Sequence, residues 1–419
     1  MRVIVCGAGL VGSSIAEFLA AEGVKVTVIE HDAKVAARIA DTMDVQTVIG
    51  HAALPDVLND ADAANADMII AVTQSDEVNM IACEVADCLF DIPNKIARIR
   101  HQSFLKNEWA NLFTRDNLAI DTIISPEVEI ARAIARRLHV PGCFDTKLVA
   151  DNKVRLIGVA VGKDAPALNT PLRQLIKLFP ELTAVIVGII RNDRAFMPNI
   201  DDMLLEGDGI YLLCDADHTA RVMAVLGHTE PEARHVVIVG GGNVGLYLSQ
   251  LIESEFSGVS LRIIERSRER AEYIAEQLKG TIVLNADALD LEILEEAKIA
   301  DTETIVCITN DDETNILTSL LAKRHGCQRS ITLVNKPTYA PLLNNLGLNA
   351  VVNPRLITVS SVMQLVRRGR IRAVHHLRDG FADMIEAEAL EGSPVVNIPP
   401  AVRRDGTLRW RSGRGEQPT

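Results

Sequence analysis

Two glycine-rich segments carry the clearest chemical potential in this sequence. Gly7-Ala8-Gly9-Leu10-Val11-Gly12 and Gly240-Gly241-Gly242-Asn243-Val244-Gly245 both read G-x-G-x-x-G. In that pattern the first glycine permits a tight turn out of a strand and the second lets a pyrophosphate approach the backbone. The third lets the following helix pack on the strand. The phosphates then rest at a helix N-terminus, where free N–H groups and the macrodipole favour negative charge. Each loop is answered by an acid, Glu30 at 23 residues past Gly7 and Glu265 at 25 past Gly240. A carboxylate there accepts hydrogen bonds from both ribose hydroxyls and repels a 2′-phosphate, which favours NAD or adenine nucleotides over NADP. The competing reading makes the glycines turn residues and the acids surface charges. Arg266, Arg268 and Arg270 stand near the second acid and could alter its ligand choice.

Further along each copy come Thr73-Gln74-Ser75-Asp76 and Thr309-Asn310-Asp311-Asp312. They follow a predicted strand, and ligands dock at the C-terminal ends of strands in open α/β sheets. Thr73, Gln74, Thr309 and Asn310 are therefore candidate ligand contacts, while Asp76 and Asp312 read equally well as helix caps. In Lys95-Ile96-Ala97-Arg98-Ile99-Arg100 the arginines alternate along a strand, and one could face phosphates, which a guanidinium contacts in bidentate fashion. The second copy has Val334 and Asn335 here and lacks that charge. No Ser/Tyr/Lys grouping, nucleophile elbow or His-Glu metal motif is present, so no catalytic and no metal-binding residue is assigned. His375-His376 reads as structural. A nicotinamide enzyme needs an acid–base residue on a substrate domain, and the segment between the two copies offers only His218 and His228 at its far end. Turnover is not expected; an NAD-dependent oxidoreductase with an unidentified substrate is the rival reading.

The elements that must position these residues are themselves duplicated. Arg2–Gly12 is echoed by His235–Gly245, Val24–Glu30 by Val259–Glu265, and Ile69–Ala82 by Thr304–Thr318, at offsets of 233 to 236 residues. So small a drift requires only loop insertions, and a period so long means duplicated domains. Within each copy short apolar runs such as Val3–Cys6 and Met68–Val72 alternate with helical patterns such as Lys34–Met43. That order predicts parallel strands buried on both faces.

The fold expected is α/β: two tandem Rossmann-like parallel-sheet domains, each followed by a small α+β domain, the second of them shortened. The boundaries read as 1–140 for the first nucleotide-binding domain and 144–228 for its small domain. The second nucleotide-binding domain covers 232–370, a partial second C-terminal domain 371–397, and a disordered or aberrant tail 398–419. From Ile398 onward the chain is rich in Arg, Gly and Pro without strand or helix periodicity, and a reading-frame shift near Asn397 would explain it.

Composition narrows the function classes. The 419 residues are 48% hydrophobic and carry a net charge of −13, which argues against a nucleic-acid binder with a basic stripe and against disorder. The apolar run Leu182–Ile190 falls short of the ~20 residues of a spanning helix. The sequence enters a strand directly from Met1, without a signal-peptide pattern. Seven cysteines without a Cys-x-x-Cys pair read as reduced thiols. The expectation is a soluble cytosolic chain.

These residues carry a resemblance. GAGLVGSSIAEFLAAEGVKVTVIE, IGHAALPDVL, ADMIIAVTQSDEVNMIAC, PNKIARIR and IISPE, with the tandem order, resemble the TrkA family of Trk potassium-transport regulators over about Met1 to Val396. The resemblance implies two regulator-of-potassium-conductance units, NAD(H) and ATP/ADP as ligands, and a homotetrameric ring. It also implies a membrane-embedded Trk-type potassium channel subunit as partner and a peripheral place on the cytoplasmic face of the inner membrane. By position it implies nucleotide contacts at Gly7 to Val11, Glu30, Thr73, Gln74 and Arg98. In the second unit they fall at Gly240 to Val244, Glu265, Thr309 and Asn310. The shortened C-terminal domain departs from the family pattern.

Overall fold

The computed structural model describes residues 1–105, 107–114, 117–179, 182–192, 194–339, 342–343, 346–348, 350–366, 371–377, 382–387, 401–402 and 408–409. The chain forms two compact units, one of Met1–Ile130 with Asn353–Arg368, the other of Ala131–Val352 with Gly369–Thr419.

The first unit is built on β1 (Arg2–Cys6), β2 (Lys25–Glu30), β3 (Gln46–Ile49), β4 (Met68–Ala71), β5 (Lys95–Arg98) and β6 (Thr122–Ile124). They form a parallel sheet in the order β3-β2-β1-β4-β5-β6. Successive side chains of β1 serve opposite faces. Val3 and Val5 belong to one buried cluster, Ile4 and Cys6 to another. Both faces are thus covered, and the strand reads as a continuous apolar run for that reason. The strand order reverses between β1 and β4, which opens a crevice at their C-terminal ends. Gly7 and Thr73 lie just beyond those two ends.

One helix of this unit comes from far along the chain. Pro354–Val366 contributes Val359, Val362 and Val366 to the cluster that holds Ile15, Leu19 and Val26. Its Arg355 guanidinium lies 2.8 Å from the Glu17 carboxylate. In sequence this helix closes the second copy. A stripe of apolar residues shows that a helix must be covered but not by what.

In the second unit β7 (Cys143–Val149), β8 (Val154–Ala160), β9 (Ala184–Arg191), β10 (Arg194–Phe196) and β11 (Gly209–Asp215) form an antiparallel sheet ordered β10-β9-β11-β8-β7. Then come β12 (His235–Val239), β13 (Ser260–Glu265), β14 (Ile282–Asn285), β15 (Thr304–Cys307), β16 (Arg329–Leu333) and β17 (Ala350–Val352). Their parallel sheet, β14-β13-β12-β15-β16-β17, repeats the order of the first. The fold is therefore two Rossmann-like parallel sheets with a small antiparallel sheet between them in sequence.

Of the C-terminal segment, β18 (Ile371–His376) pairs antiparallel with β19 (Asp383–Ala387), and Ala401–Val402 pairs with Leu408–Arg409. The rest of the tail expected to be disordered or aberrant lies outside the described residues. Leu377 is buried against Phe144 and Tyr211. His375 Nε2 lies 2.9 Å from Asp145 Oδ2, to which the Tyr211 hydroxyl also donates at 3.2 Å. Burial pushes the Asp145 carboxyl up, but the His375 charge and hydrogen bond, with Arg137, outweigh it and hold it at about 2. His375 thus has a structural role, with a partner 230 residues away.

Candidate functional site

The glycines of each loop divide by what requires them. Gly7 and Gly240 have φ of +97° and +107°, a region where an L side chain is strained. A Cβ on Gly12 would lie 1.8 Å from the Gly7 carbonyl oxygen, and one on Gly245 would lie 2.0 Å from that of Gly240. The fold itself demands these four. Gly9 and Gly242 differ: φ is −66° and −60°, and an added Cβ meets nothing within 4 Å. Neither the backbone angle nor the packing there demands glycine; each residue is the N-cap of its helix, and a glycine leaves room for a ligand against the backbone.

The helices that open at these loops, Leu10–Ala21 and Asn243–Glu255, have no side-chain cap. The following helices are capped by Asp32, Ser75, Ser267 and Asp311. The first-turn N–H groups of the loop helices are left for an anion. The residues therefore fit a phosphate-bearing nucleotide at either loop.

Glu30 and Glu265 stand where a ribose would need them. Glu30 Oε2 accepts from Ala8 N–H at 2.6 Å and Oε1 from Asp32 N–H at 2.9 Å. Glu265 accepts from Gly241 N–H at 2.7 Å and Ser267 N–H at 2.8 Å. Each carboxylate is fixed by one bond to the glycine loop and one to the next helix, and keeps lone pairs for further donors. His31 Nδ1 also lies 2.6 Å from Glu30.

Thr73 and Thr309 pack against the first glycine of their loops, since a Cβ on Gly7 or Gly240 would come within 3.0 Å of the threonine backbone. Asn79 fixes Thr73: its Oδ1 accepts from the Thr73 N–H (2.8 Å) and hydroxyl (2.7 Å), and its Nδ2 donates to the Arg98 carbonyl at 2.9 Å. Asn315 repeats all three bonds with Thr309 and Leu333. The sequence reading passed over these buried asparagines, although Asp-Glu-x-Asn recurs in both copies. Gln74 and Asn310 are exposed beside the threonines.

The capping roles weighed for Asp76 and Asp312 fall to their neighbours Ser75 and Asp311. The two aspartates are buried and accept backbone N–H groups instead, Asp76 from Arg100 and His101, Asp312 from Asn335 and Lys336. These bonds fix the register between copies: Arg98 corresponds to Leu333 and Arg100 to Asn335. The expected match to Val334 was one residue off for Arg98, though the second copy still lacks the charge. Arg98 is engaged by Glu127 at 3.3 Å, and Arg100 shares that carboxylate at 3.4 Å. The Arg98 Nε is buried without a partner. Among the described residues no His/Cys/Asp/Glu group could hold a metal, and no helix is long and apolar enough to cross a membrane.

Comparison with known families matches the TrkA-N domain at residues 3–126 and 236–354, and the TrkA-C domain at 156–227. The chain belongs to the TrkA family. A Trk system potassium uptake protein TrkA from Azorhizobium caulinodans is 47% identical over 95% of this chain and 87% of its own length. Among solved structures, the GsuK RCK domain is similar in fold to this chain at a TM-score of 0.63 and 18% identity, over 87% of this chain and 76% of that one. The GsuK channel bound to NAD gives a TM-score of 0.63 and 18% identity, over 87% and 63%.

Proposed function

We propose that this chain is the nucleotide-binding regulatory subunit of a Trk-type potassium uptake system, with NAD(H) and ATP or ADP as ligands. The observation that carries the reading is the paired loop: a helix start without a side-chain cap, a second glycine that leaves open space above the backbone, and a carboxylate bonded to the loop. Gly7 to Gly12 with Glu30, Thr73, Gln74 and Arg98 would hold one nucleotide. Gly240 to Gly245 with Glu265, Thr309 and Asn310 would hold the other. The ribose would lie on the acid and the phosphates on the loop amides.

No group transfer is needed. A bound nucleotide acts by having different affinity for two arrangements of the assembly. A tenfold bias in pore opening takes about 1.4 kcal/mol of differential binding, the scale of one charge-assisted phosphate contact. The pore belongs to a membrane-embedded partner, and this chain works at the cytoplasmic face as a homo-oligomer, a tetramer by family likeness. The name of the Azorhizobium caulinodans relative supports the transport role, and the NAD-bound GsuK channel supports the ligand class.

The test is potassium flux through the channel subunit in liposomes, with and without this chain and each nucleotide. Flux that depends on both is expected; flux unchanged in every condition removes the gating reading. Loss of NADH absorbance with a candidate substrate would favour the oxidoreductase instead.

A further inference from the structure

The two loops share their glycine conformations, a helix start without a side-chain cap and a loop-bound carboxylate, and differ in one pair of side chains at the loop itself. In the second, the Arg270 guanidinium lies on the loop itself. Its Nε donates to the Gly241 carbonyl at 2.7 Å and its terminal nitrogen to Asn243 Oδ1 at 3.1 Å. The Tyr273 ring supports it at 4.9 Å. Arg270 Nε and Asn243 thus bridge the loop to helix Arg268–Gln277, and Ser267 caps that helix by accepting from the Arg270 N–H.

At the corresponding places the first copy has Leu10 for Asn243 and Val35 for Arg270. Leu10 is 69% exposed, and Val35 packs at the edge of the core. The polar, cationic pair of one loop is an apolar pair in the other.

Arg270 also differs from the cations of the first unit in its partners. Arg98 and Arg100 share the Glu127 carboxylate at the end of β5, whereas Arg270 meets a carbonyl, an amide oxygen and an aromatic face, and no carboxylate among the described residues. It forms no ion pair among the described residues, and through Gly241 and Asn243 it sits between the ribose-holding acid Glu265 and the start of helix Asn243–Glu255. That is where the phosphate next to a ribose must lie. A guanidinium in this position has donors left over for phosphate oxygens.

We infer that Arg270, held by Asn243, is a specificity-determining residue of the second pocket and biases it toward the more anionic adenine nucleotides, ADP and ATP, over NAD. This rests on the loops being nucleotide pockets. A guanidinium without an ion pair gains more from a polyphosphate chain than from NAD, whose nicotinamide cation cancels part of its charge. The first loop has Leu10 and Val35 in place of that pair.

The test uses the full chain carrying Gly9→Ala, so that the second pocket is read alone, and calorimetric titration with ATP, ADP and NAD at low and moderate salt. Arg270→Val with Asn243→Leu imports the first copy's pair. The expected result is an ATP affinity about tenfold weaker, the scale of one charge-assisted contact, with NAD changed less than threefold and a shallower salt dependence for ATP. An equal change for both nucleotides, or none, overturns the inference. The reciprocal exchange, Leu10→Asn with Val35→Arg in a chain carrying Gly242→Ala, reads a gain and so survives any loss of folding in the first variant. It should raise the ATP-to-NAD preference of the first pocket about tenfold, and an unmoved ratio counts against the role. Absence of binding of every nucleotide to the unaltered chain would be a separate result, removing the pocket reading itself.

Discussion

Replacing Gly9 by alanine separates what the fold needs from what a ligand needs. Its φ and ψ of −66° and −173° are open to any residue, and the new methyl meets no atom within 4 Å. Reduced freedom of the unfolded chain should stabilise by ~0.4–1 kcal/mol. Loss of glycine at an N-cap costs about the same, because alanine is the poorer cap. Net stability should stay within about 1 kcal/mol of the unaltered chain. Gly12→Ala differs: its Cβ would lie 1.8 Å from the Gly7 carbonyl oxygen, and overpacking against fixed backbone should cost upward of ~3 kcal/mol. For the ligand the order reverses. A methyl at Gly9 stands between the phosphates and the loop amides, and losing one or two charge-assisted bonds should weaken nucleotide binding at that loop ~10–100-fold, about 1.4–2.8 kcal/mol. Thermal melts with calorimetric titration of NAD and ATP read both quantities. Refutation comes from a Gly9→Ala chain that binds normally at its first loop, or one that melts as early as Gly12→Ala.

Other outcomes follow from single contacts. Asn79→Ala removes the acceptor shared by the Thr73 N–H and hydroxyl and strands the Arg98 carbonyl; denaturant titration should show a loss of about 2–3 kcal/mol. Val362→Ala should destabilise the first unit by about 2 kcal/mol, and hydrogen exchange should report it at β1 and helix Leu10–Ala21, hundreds of residues away in sequence; exchange confined to Pro354–Val366 would contradict the packing. The Asp145 carboxyl is held at about 2, below its unfolded value of ~3.9. Its contribution is therefore complete above about pH 4 and lost as pH falls toward about 2. Exchange at β7 and β18 should rise in that window, and His375→Ala should flatten the rise.

Much of the architecture was legible because it is local or repeated. The G-x-G-x-x-G loops, the acids Glu30 and Glu265, the apolar strands and the β-rich segment between the copies are patterns of neighbouring residues. Duplication checked the loops, the acids and the parallel strands against a second instance. Spacing alone placed Thr73 and Thr309 at the crevice, because a strand end and the next helix leave little latitude.

What the pattern could not hold was pairing between distant segments. Val359, Val362 and Val366 declare an apolar stripe, yet only packing shows that Ile15 and Leu19 cover it. Asp145 finds His375 across 230 residues. The roles of Ser75 and Asp76 differ by one position in which backbone each can reach, a matter of side-chain direction that composition does not encode. The amino-acid sequence by itself determined two G-x-G-x-x-G loops and the sheets that carry them, since backbone conformation and burial periodicity are written residue by residue. Tertiary structure alone decided which glycines are spare, which helix closes the first sheet and where Arg270 lies, because those depend on the distances between atoms that the chain brings together only when folded.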